Sequence, residues 1–256
     1  SHAPDAVVAS ARRAAAALRV DDLGAYRVHW PVGDTHEPFA PPGARNPASR
    51  PYIHGEFMAT WRAMESLVDS GIVRHIGVSN VTIPKLELIL RDARIAPAIN
   101  EMELHPCFQQ PELFRYCVDR GLAVVAYCPI GSPARPERDR APEDRADTEH
   151  PVVARIARAH GIHPAEACLK WAAQRGQVPI PFSLDPAHQA ANLRAVESDP
   201  LTPAEMEDMK AADCGNRLIK GQVFLWEGSS DWRDLWDVDG TIPTWGDAAR
   251  RAGPPA

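Results

Sequence analysis

Two hydrophobic periods alternate along the chain. Apolar residues recur at helical spacing over residues 5–18 (Val7, Val8, Ala11, Ala15 and Leu18) and over 54–69 (Phe57, Trp61, Met64 and Val68). Between and after these helices lie short runs that read as strands, at 26–30, 73–78, 96–100, 122–127 and 178–180. The run Leu122–Tyr127 is nearly continuous in apolar residues, as a strand buried on both faces should be. Further helices are expected over 84–92, 111–120 (opening on Pro111), 151–160, 164–175 and from Asp185-Pro186 to about Val196. Thr202-Pro203-Ala204-Glu205 has the form of a capping box that starts one more. Strands alternating with helices argue a parallel sheet with helices outside it. The Pro-rich polar stretch Pro31–Tyr52 is longer than an ordinary connection and is a candidate functional loop, and Pro133–Glu149, charged, Pro-rich and patternless, reads as a mobile loop or a lid. From Cys214 onward the pattern becomes irregular but carries Phe224, Trp226, Trp232, Trp236 and Trp245, which suggests a segment lying over a pocket.

Composition narrows this little. The chain has 256 residues, enough for one sizeable core, and a net charge of −6 that gives no reason to expect nucleic acid. No run of 18 apolar residues is present, so no membrane span is expected, and residues 1–5 lack the features of a secretory leader. The cysteines Cys107, Cys117, Cys128, Cys168 and Cys214 stand in apolar segments without C-x-x-C spacing. They read as reduced core residues of a cytoplasmic protein, not as a disulfide frame or a metal site.

The chemistry is concentrated around Val73-Arg74-His75-Ile76-Gly77-Val78-Ser79-Asn80. Ligands of parallel α/β sheets bind at the carboxyl ends of strands, and there Ser79 and Asn80 offer a hydroxyl and an amide suited to a carboxamide or phosphate. Four further stretches stand in series with this one: Val28-His29-Trp30-Pro31, Asn100-Glu101-Met102-Glu103-Leu104-His105-Pro106, Ala126-Tyr127-Cys128-Pro129-Ile130-Gly131-Ser132 and Ile180-Pro181-Phe182-Ser183, with Asn192 beyond. Together, in this order and at these separations, they resemble the aldo-keto reductase family.

The resemblance implies a (β/α)8 barrel of the TIM type, of which about five βα units are legible here. Three units at the amino-terminal side have no counterpart. On this reading residues 1–213 form a partial barrel and 214–256 a tail over the barrel mouth. It implies NAD(P)H-dependent reduction of the carbonyl of an aldehyde, ketone or sugar-like small molecule by a catalytic Asp, Tyr, Lys and His. Only the histidine, His29, matches in this chain. The alternative reading is therefore an inactive, reductase-like binding or regulatory protein. The resemblance assigns Ser79, Asn80 and Glu101 to the nicotinamide carboxamide, with Glu101 standing where the family has a glutamine. Tyr127 would stack on the nicotinamide ring, and Cys128, Ile130 and Ser132 would line the pyrophosphate loop. Ser183 and Asn192 would reach the adenosine end. Phe182 and His188 replace the lysine and arginine that clamp the 2′-phosphate of NADP, so NADP is the expected cofactor with NAD also possible. Trp30, Trp226 and Trp232 are the expected walls of the substrate pocket. Oligomeric state is left open.

Overall fold

The computed structural model describes residues 2–33, 46, 48–132, 140–142, 144, 146–229 and 231–244. The middle of each long loop, and Trp245, lie outside the described residues. Five strands form one parallel sheet in the order β1-β2-β3-β4-β5: β1 (Leu23–Val28), β2 (Val73–Ser79), β3 (Ile99–Glu103), β4 (Ala123–Tyr127) and β5 (Val178–Pro179). The helices are α1 (Pro4–Leu18) before the first strand, α2 (His54–Asp69), α3 (Ile83–Asp92), α4 (Pro111–Asp119), α5 (Pro151–His160) and α6 (Pro164–Gln174) between strands, and α7 (Pro186–Glu197) and α8 (Pro203–Asp208) after the last. Among the described residues no helix is long and apolar enough to cross a membrane. The chain divides into two compact units, Ser1–Asn100 with Lys220–Ala256 and Glu101–Ile219, and the boundary falls inside β3.

In the first unit, α1 buries Val7, Ala11 and Ala15, a four-residue spacing that presents one stripe. β1 pairs in parallel with β2, Tyr26 opposite Ile76 and Val28 opposite Val78. The strand therefore begins three residues earlier than its pattern suggested and ends before His29 and Trp30. Leu23-Gly24-Ala25 has weak strand propensity, and its pairing with Val73–His75 overrides that. β3 is displaced the other way, to 99–103 instead of 96–100. Pro97 has no N–H to give a ladder, while Glu101 and Glu103 can run on as strand because they are buried. Thr82 occupies the N-cap of α3 with extended backbone but caps nothing with its side chain.

Thr82 instead donates its hydroxyl to Asp237. Lys85, one turn into α3 and buried, reaches Asp237 Oδ2 at 2.7 Å and the carbonyl of Leu235 at 2.9 Å. It also sits 5.7 Å from the centre of the Tyr52 ring. Burial pulls the Lys85 ammonium's pKa down and pushes the Asp237 carboxyl up, each against the attraction of the other. The tail is thus fastened to α3 by a buried ion pair whose alternatives are costly. The Tyr52 hydroxyl shares a 2.8 Å hydrogen bond with His54 Nδ1, and His54 Nε2 lies 2.7 Å from Asp92 Oδ2, so the start of α2 is tied to the end of α3.

The second unit has its own core, in which Val153, Ile156 and Ala157 of α5 meet Ala167, Cys168 and Trp171 of α6, with Leu201 and Met209 closing it. α8 opens with the capping box expected of it: the Glu205 N–H donates to Thr202 Oγ1 at 3.2 Å, and the Thr202 N–H donates to Glu205 Oε2 at 2.8 Å. Cys214 departs from the expectation of a core cysteine and is exposed, whereas Cys107, Cys117 and Cys168 are buried.

Removing one partner of a buried pair strands the other's charge, at about 3–5 kcal/mol. Lys85→Met is therefore expected to lower stability by that order and to release the tail. Adding Asp237→Asn to it should recover part of the loss, because the stranded charge is gone. Urea unfolding of the two single variants and the double variant checks this, and additive losses would contradict it.

Candidate active site

His29 follows the last residue of β1, and Ser79 is the last residue of β2. Asn80 continues from Ser79 in the left-handed conformation, φ 59°, a region that asparagine tolerates better than most residues. Its Nδ2 donates to the His29 carbonyl at 2.9 Å and to Ser79 Oγ at 3.2 Å. Ser79 and Asn80 are buried, while His29 is exposed. Asn80 thus holds the chain that carries His29 against the carboxyl end of β2. Three residues singled out in the sequence are brought together here.

His29 and Trp30 line a cavity of about 220 Å³ together with Tyr26 and Arg27 of β1, Ala6, Ser10 and Arg13 of α1, and Met64 of α2. The Trp30 indole itself turns into the tail, 4.3 Å from the Phe224 ring and 5.6 Å from that of Trp236. Gly221, at φ 79°, permits this: a Cβ there would stand 2.8 Å from the tip of the Trp30 ring. Trp226 is buried, and Trp232 is half-buried with the Arg233 guanidinium 5.0 Å from its ring centre.

In the second unit, Glu101 is buried within β3 and Tyr127, half-buried, ends β4. Burial and the nearby Glu103 carboxylate push the Tyr127 hydroxyl well above the usual tyrosine range, so it stays a neutral phenol. After Tyr127 the backbone turns tightly, with positive φ at Cys128 (52°), Gly131 (72°) and Ser132 (40°) and the Gly131 N–H donating to the Cys128 carbonyl at 2.9 Å. Gly131 lies directly against the Asp147 carboxyl, leaving no room for a Cβ. Past β5, Phe182 is 83% exposed. Ser183 Oγ accepts from the Asp185 N–H at 3.1 Å, and Asn192 is half-buried on α7. His188 is exposed and 3.9 Å from Asp185 Oδ2.

Sequence reasoning missed two acidic residues. Asp185 caps α7, its Oδ1 accepting from the Ala187 N–H at 2.7 Å, so the chain's own carboxylate occupies the helix start, where N–H groups could otherwise meet an anion. Asp147 closes the charged stretch Pro133–Glu149 and, far from being patternless, is buried in a short 3₁₀ turn. Its Oδ2 lies 2.9 Å from His105 Nδ1 and accepts from the Cys107 N–H at 3.0 Å. His105 Nε2 lies 3.1 Å from Glu103 Oε1, and Glu103 in turn accepts from the N–H groups of Leu218 (2.6 Å) and Ile219 (2.9 Å). Burial would lower the His105 pKa, but its hydrogen bonds to Asp147 and Glu103 outweigh that and lift it to about 9. Burial likewise raises Glu103, and His105, Arg217 and the Leu218 N–H bring it below the usual carboxylate range.

The family model described as "Aldo/keto reductase family" matches residues 1–213. The chain belongs to this family. Relatives include an aldo/keto reductase of Synechocystis, 37% identical over 243 residues, covering 93% of this chain and 72% of the relative. Aldo-keto reductase family 1 member A1-A of Danio rerio is 34% identical over 237 residues, covering 91% and 70%. Aldo-keto reductase family 1 member A1 of Homo sapiens is 35% identical over 222 residues, covering 85% and 66%. The chain thus spans about two thirds to three quarters of the length of these relatives. As an aldo-keto reductase it falls among oxidoreductases of carbonyl substrates, and its five-stranded parallel sheet is consistent with part of a (β/α)8 barrel.

The His105 cluster predicts how the second unit of this aldo-keto reductase responds to pH. A histidine whose pKa is raised on folding contributes stability that is fully present below its unfolded value and lost as pH rises through the folded one. The window is therefore 6.5 to about 9. Between pH 6.5 and 8, before the buried thiols begin to matter, stability should fall by about 1–2 kcal/mol. His105→Gln should be less stable at pH 6.5 but lack this slope; urea midpoints across the range measure both.

Proposed function

We propose that the protein binds a nicotinamide dinucleotide and belongs to the hydride chemistry of aldehydes, ketones or sugar-like carbonyl compounds. The observation that carries the reading is the His29–Asn80–Ser79 arrangement. The Asn80 amide N–H groups donate to the His29 carbonyl and to Ser79 Oγ, which fixes the plane of the amide beside the serine. Ser79 Oγ accepts from Asn80 and keeps its own proton to donate. A serine hydroxyl beside an amide held in a fixed plane is polar chemistry suited to a carboxamide. Glu101 adds an acceptor only, so the donor role of the family's glutamine falls to Ser79.

Tyr127 fits the nicotinamide ring as a neutral aromatic surface, and the turn Cys128–Ser132, with Ile130 inside it, fits the pyrophosphate. Ser183 and Asn192 face the adenosine end, where the exposed ring of Phe182 offers a stacking surface for adenine. The cofactor supplies the hydride when bound. His29, exposed on its cavity, positions and polarises the carbonyl, and Trp30, Trp226 and Trp232 bound the substrate side. Location in the cytoplasm goes with the reduced thiols.

A second reading has a specific basis. Of the family's catalytic Asp, Tyr, Lys and His this polypeptide carries only His29, so it holds the means to bind a cofactor but no tyrosine–lysine pair to deliver a proton. The 256-residue chain is accordingly expected to bind NADH and NADPH and to reduce carbonyl compounds no faster than background. Asn80→Ala should weaken both cofactors about tenfold, the loss of one to two hydrogen bonds of about 1 kcal/mol each. Tryptophan-to-nicotinamide energy transfer measures the binding. Failure of wild-type chain to bind either cofactor would end the proposal, and turnover by it would overturn the assignment of roles.

The adenosine end decides between the two cofactors. NADP(H) is the family's habit, but Phe182 carries no charge and His188 stands beside Asp185. The Asp185 carboxylate opposes a 2′-phosphate, so discrimination should be slight. Asp185→Asn keeps a good helix cap and removes that charge. It is expected to shift preference toward NADPH by about two- to fivefold, the scale of an exposed charge pair, measured as the ratio of the two dissociation constants.

A further inference from the structure

The side chains of Cys107 and Cys214 are within hydrogen-bond reach of each other. Cys107 is buried in the turn that follows β3, and Cys214 is exposed at the start of the tail. The Cys107 carbonyl accepts from the Cys214 N–H at 3.2 Å and the Asn216 N–H at 3.0 Å, and the Cys214 thiol lies 3.6 Å from the same oxygen. Backbones one hydrogen bond apart are compatible with the Cα separation of roughly 4.4–6.8 Å that a disulfide spans. The segment is held from both sides, because Asp213 Oδ1 accepts from the Gln109 N–H at 3.3 Å. Just beyond Cys214, Leu218 and Ile219 donate to Glu103.

We propose that Cys107 and Cys214 form a thiol–disulfide pair, in which a hydroperoxide oxidises Cys214 and Cys107 closes an intramolecular disulfide that staples the start of the tail to the turn after β3. In the first step the Cys214 sulfur attacks the terminal peroxide oxygen: an S–O bond forms, the O–O bond breaks, and the other oxygen takes the thiol proton and leaves as an alcohol, or as water from hydrogen peroxide. In the second step the Cys107 sulfur displaces the sulfenic oxygen, which departs as water with the Cys107 proton. Two thiols are oxidised by two electrons, and one hydroperoxide is reduced. The order of events follows from access. The exposed thiol meets the oxidant, while burial pushes the Cys107 thiol up, with Asp147 and the adjoining Cys214 thiol adding to it. Cys107 is therefore the protonated, waiting partner. The proposal does not rest on the nicotinamide site.

The test uses the full 256-residue chain treated with hydrogen peroxide, quenched with a maleimide, digested and mapped by mass spectrometry. A Cys107–Cys214 crosslink that dithiothreitol reverses is expected, with three thiols of the five left to alkylate. Amide hydrogen exchange at Arg217, Leu218 and Ile219 should slow at least fivefold in the oxidised form. Cys214→Ser, an exposed change that spares the core, should abolish the crosslink and leave Cys107 unoxidised. Several results would overturn the pair: no oxidation, sulfinic acid at Cys214 with Cys107 intact, a bond to the buried Cys168, a Cys214–Cys214 dimer, or a crosslink without slowed exchange.

Discussion

Glu103 is a fully buried carboxylate at the end of a strand, and the second unit is arranged to tolerate it. An uncompensated buried charge is unaffordable at the scale of a protein's net stability, which is about 5–15 kcal/mol. The compensation comes from three directions: His105 beside it in sequence, the Leu218 and Ile219 N–H groups from the far end of the unit, and the neighbouring Arg217. His105 carries its own positive charge because Asp147 faces one of its nitrogens and Glu103 the other. Remove any member and a buried charge is left over, so the cluster fixes the place of residues 103–107, 147 and 217–219 at once. The first unit solves a similar problem with opposite polarity. There the buried group that must be satisfied is the Lys85 ammonium, and the partners that satisfy it, Leu235 and Asp237, are again contributed by the carboxyl-terminal segment.

This explains how parts of the tail without helical or strand period are held. Residues 218–219 bond to the buried Glu103 in the second unit, and residues 235–237 bond to the buried Lys85 in the first. Trp236 adds an aromatic contact: its ring meets Trp30, and its indole N–H donates to the Lys220 carbonyl at 3.0 Å. Aromatic burial supplies the driving force, and the hydrogen bonds choose the arrangement.

The regular elements were legible because their signals are local. Helix starts at Pro111, Pro151, Pro164, Pro186 and Pro203 fall on prolines whose fixed φ and missing N–H suit that position. Strand ends were misplaced where pairing or burial decided them. β1 begins at Leu23 because β2 offers it partners, and β3 continues through two glutamates because distant groups neutralise one of them. The same distinction separates the site residues that were found from those that were missed. Ser79, Asn80 and Tyr127 stand at strand ends in recognisable stretches. Asp147 lies in a charged segment, 40 residues from the amide it accepts and 42 from the histidine it faces. Nothing in its neighbourhood marks it as buried. Asp185 could have been read from the sequence, since Asp before Pro at a helix start is an N-cap signal, and its consequence is that the helix start is already occupied by an anion.

The backbone carries a second constraint that packing alone does not explain. Asn80, Cys128 and Ser132 adopt left-handed conformations without being glycine, each at a cost of about 1–3 kcal/mol. All three follow the carboxyl ends of β2 or β4, where parallel sheets receive ligands. A turn whose only task was to reverse the chain would be more stable with glycine in these places, as at Gly71 and Gly121, which close helix-to-strand turns at φ 73° and 74°. Asparagine, cysteine and serine bring side chains that glycine lacks. At Asn80 that side chain has a visible use, since it binds the His29 carbonyl and so sets the place of the histidine. Arg19, exposed in the turn from α1 to β1, keeps the same conformation at φ 57°, so what marks the turn at Asn80 is its bond to the His29 carbonyl and not the strain by itself.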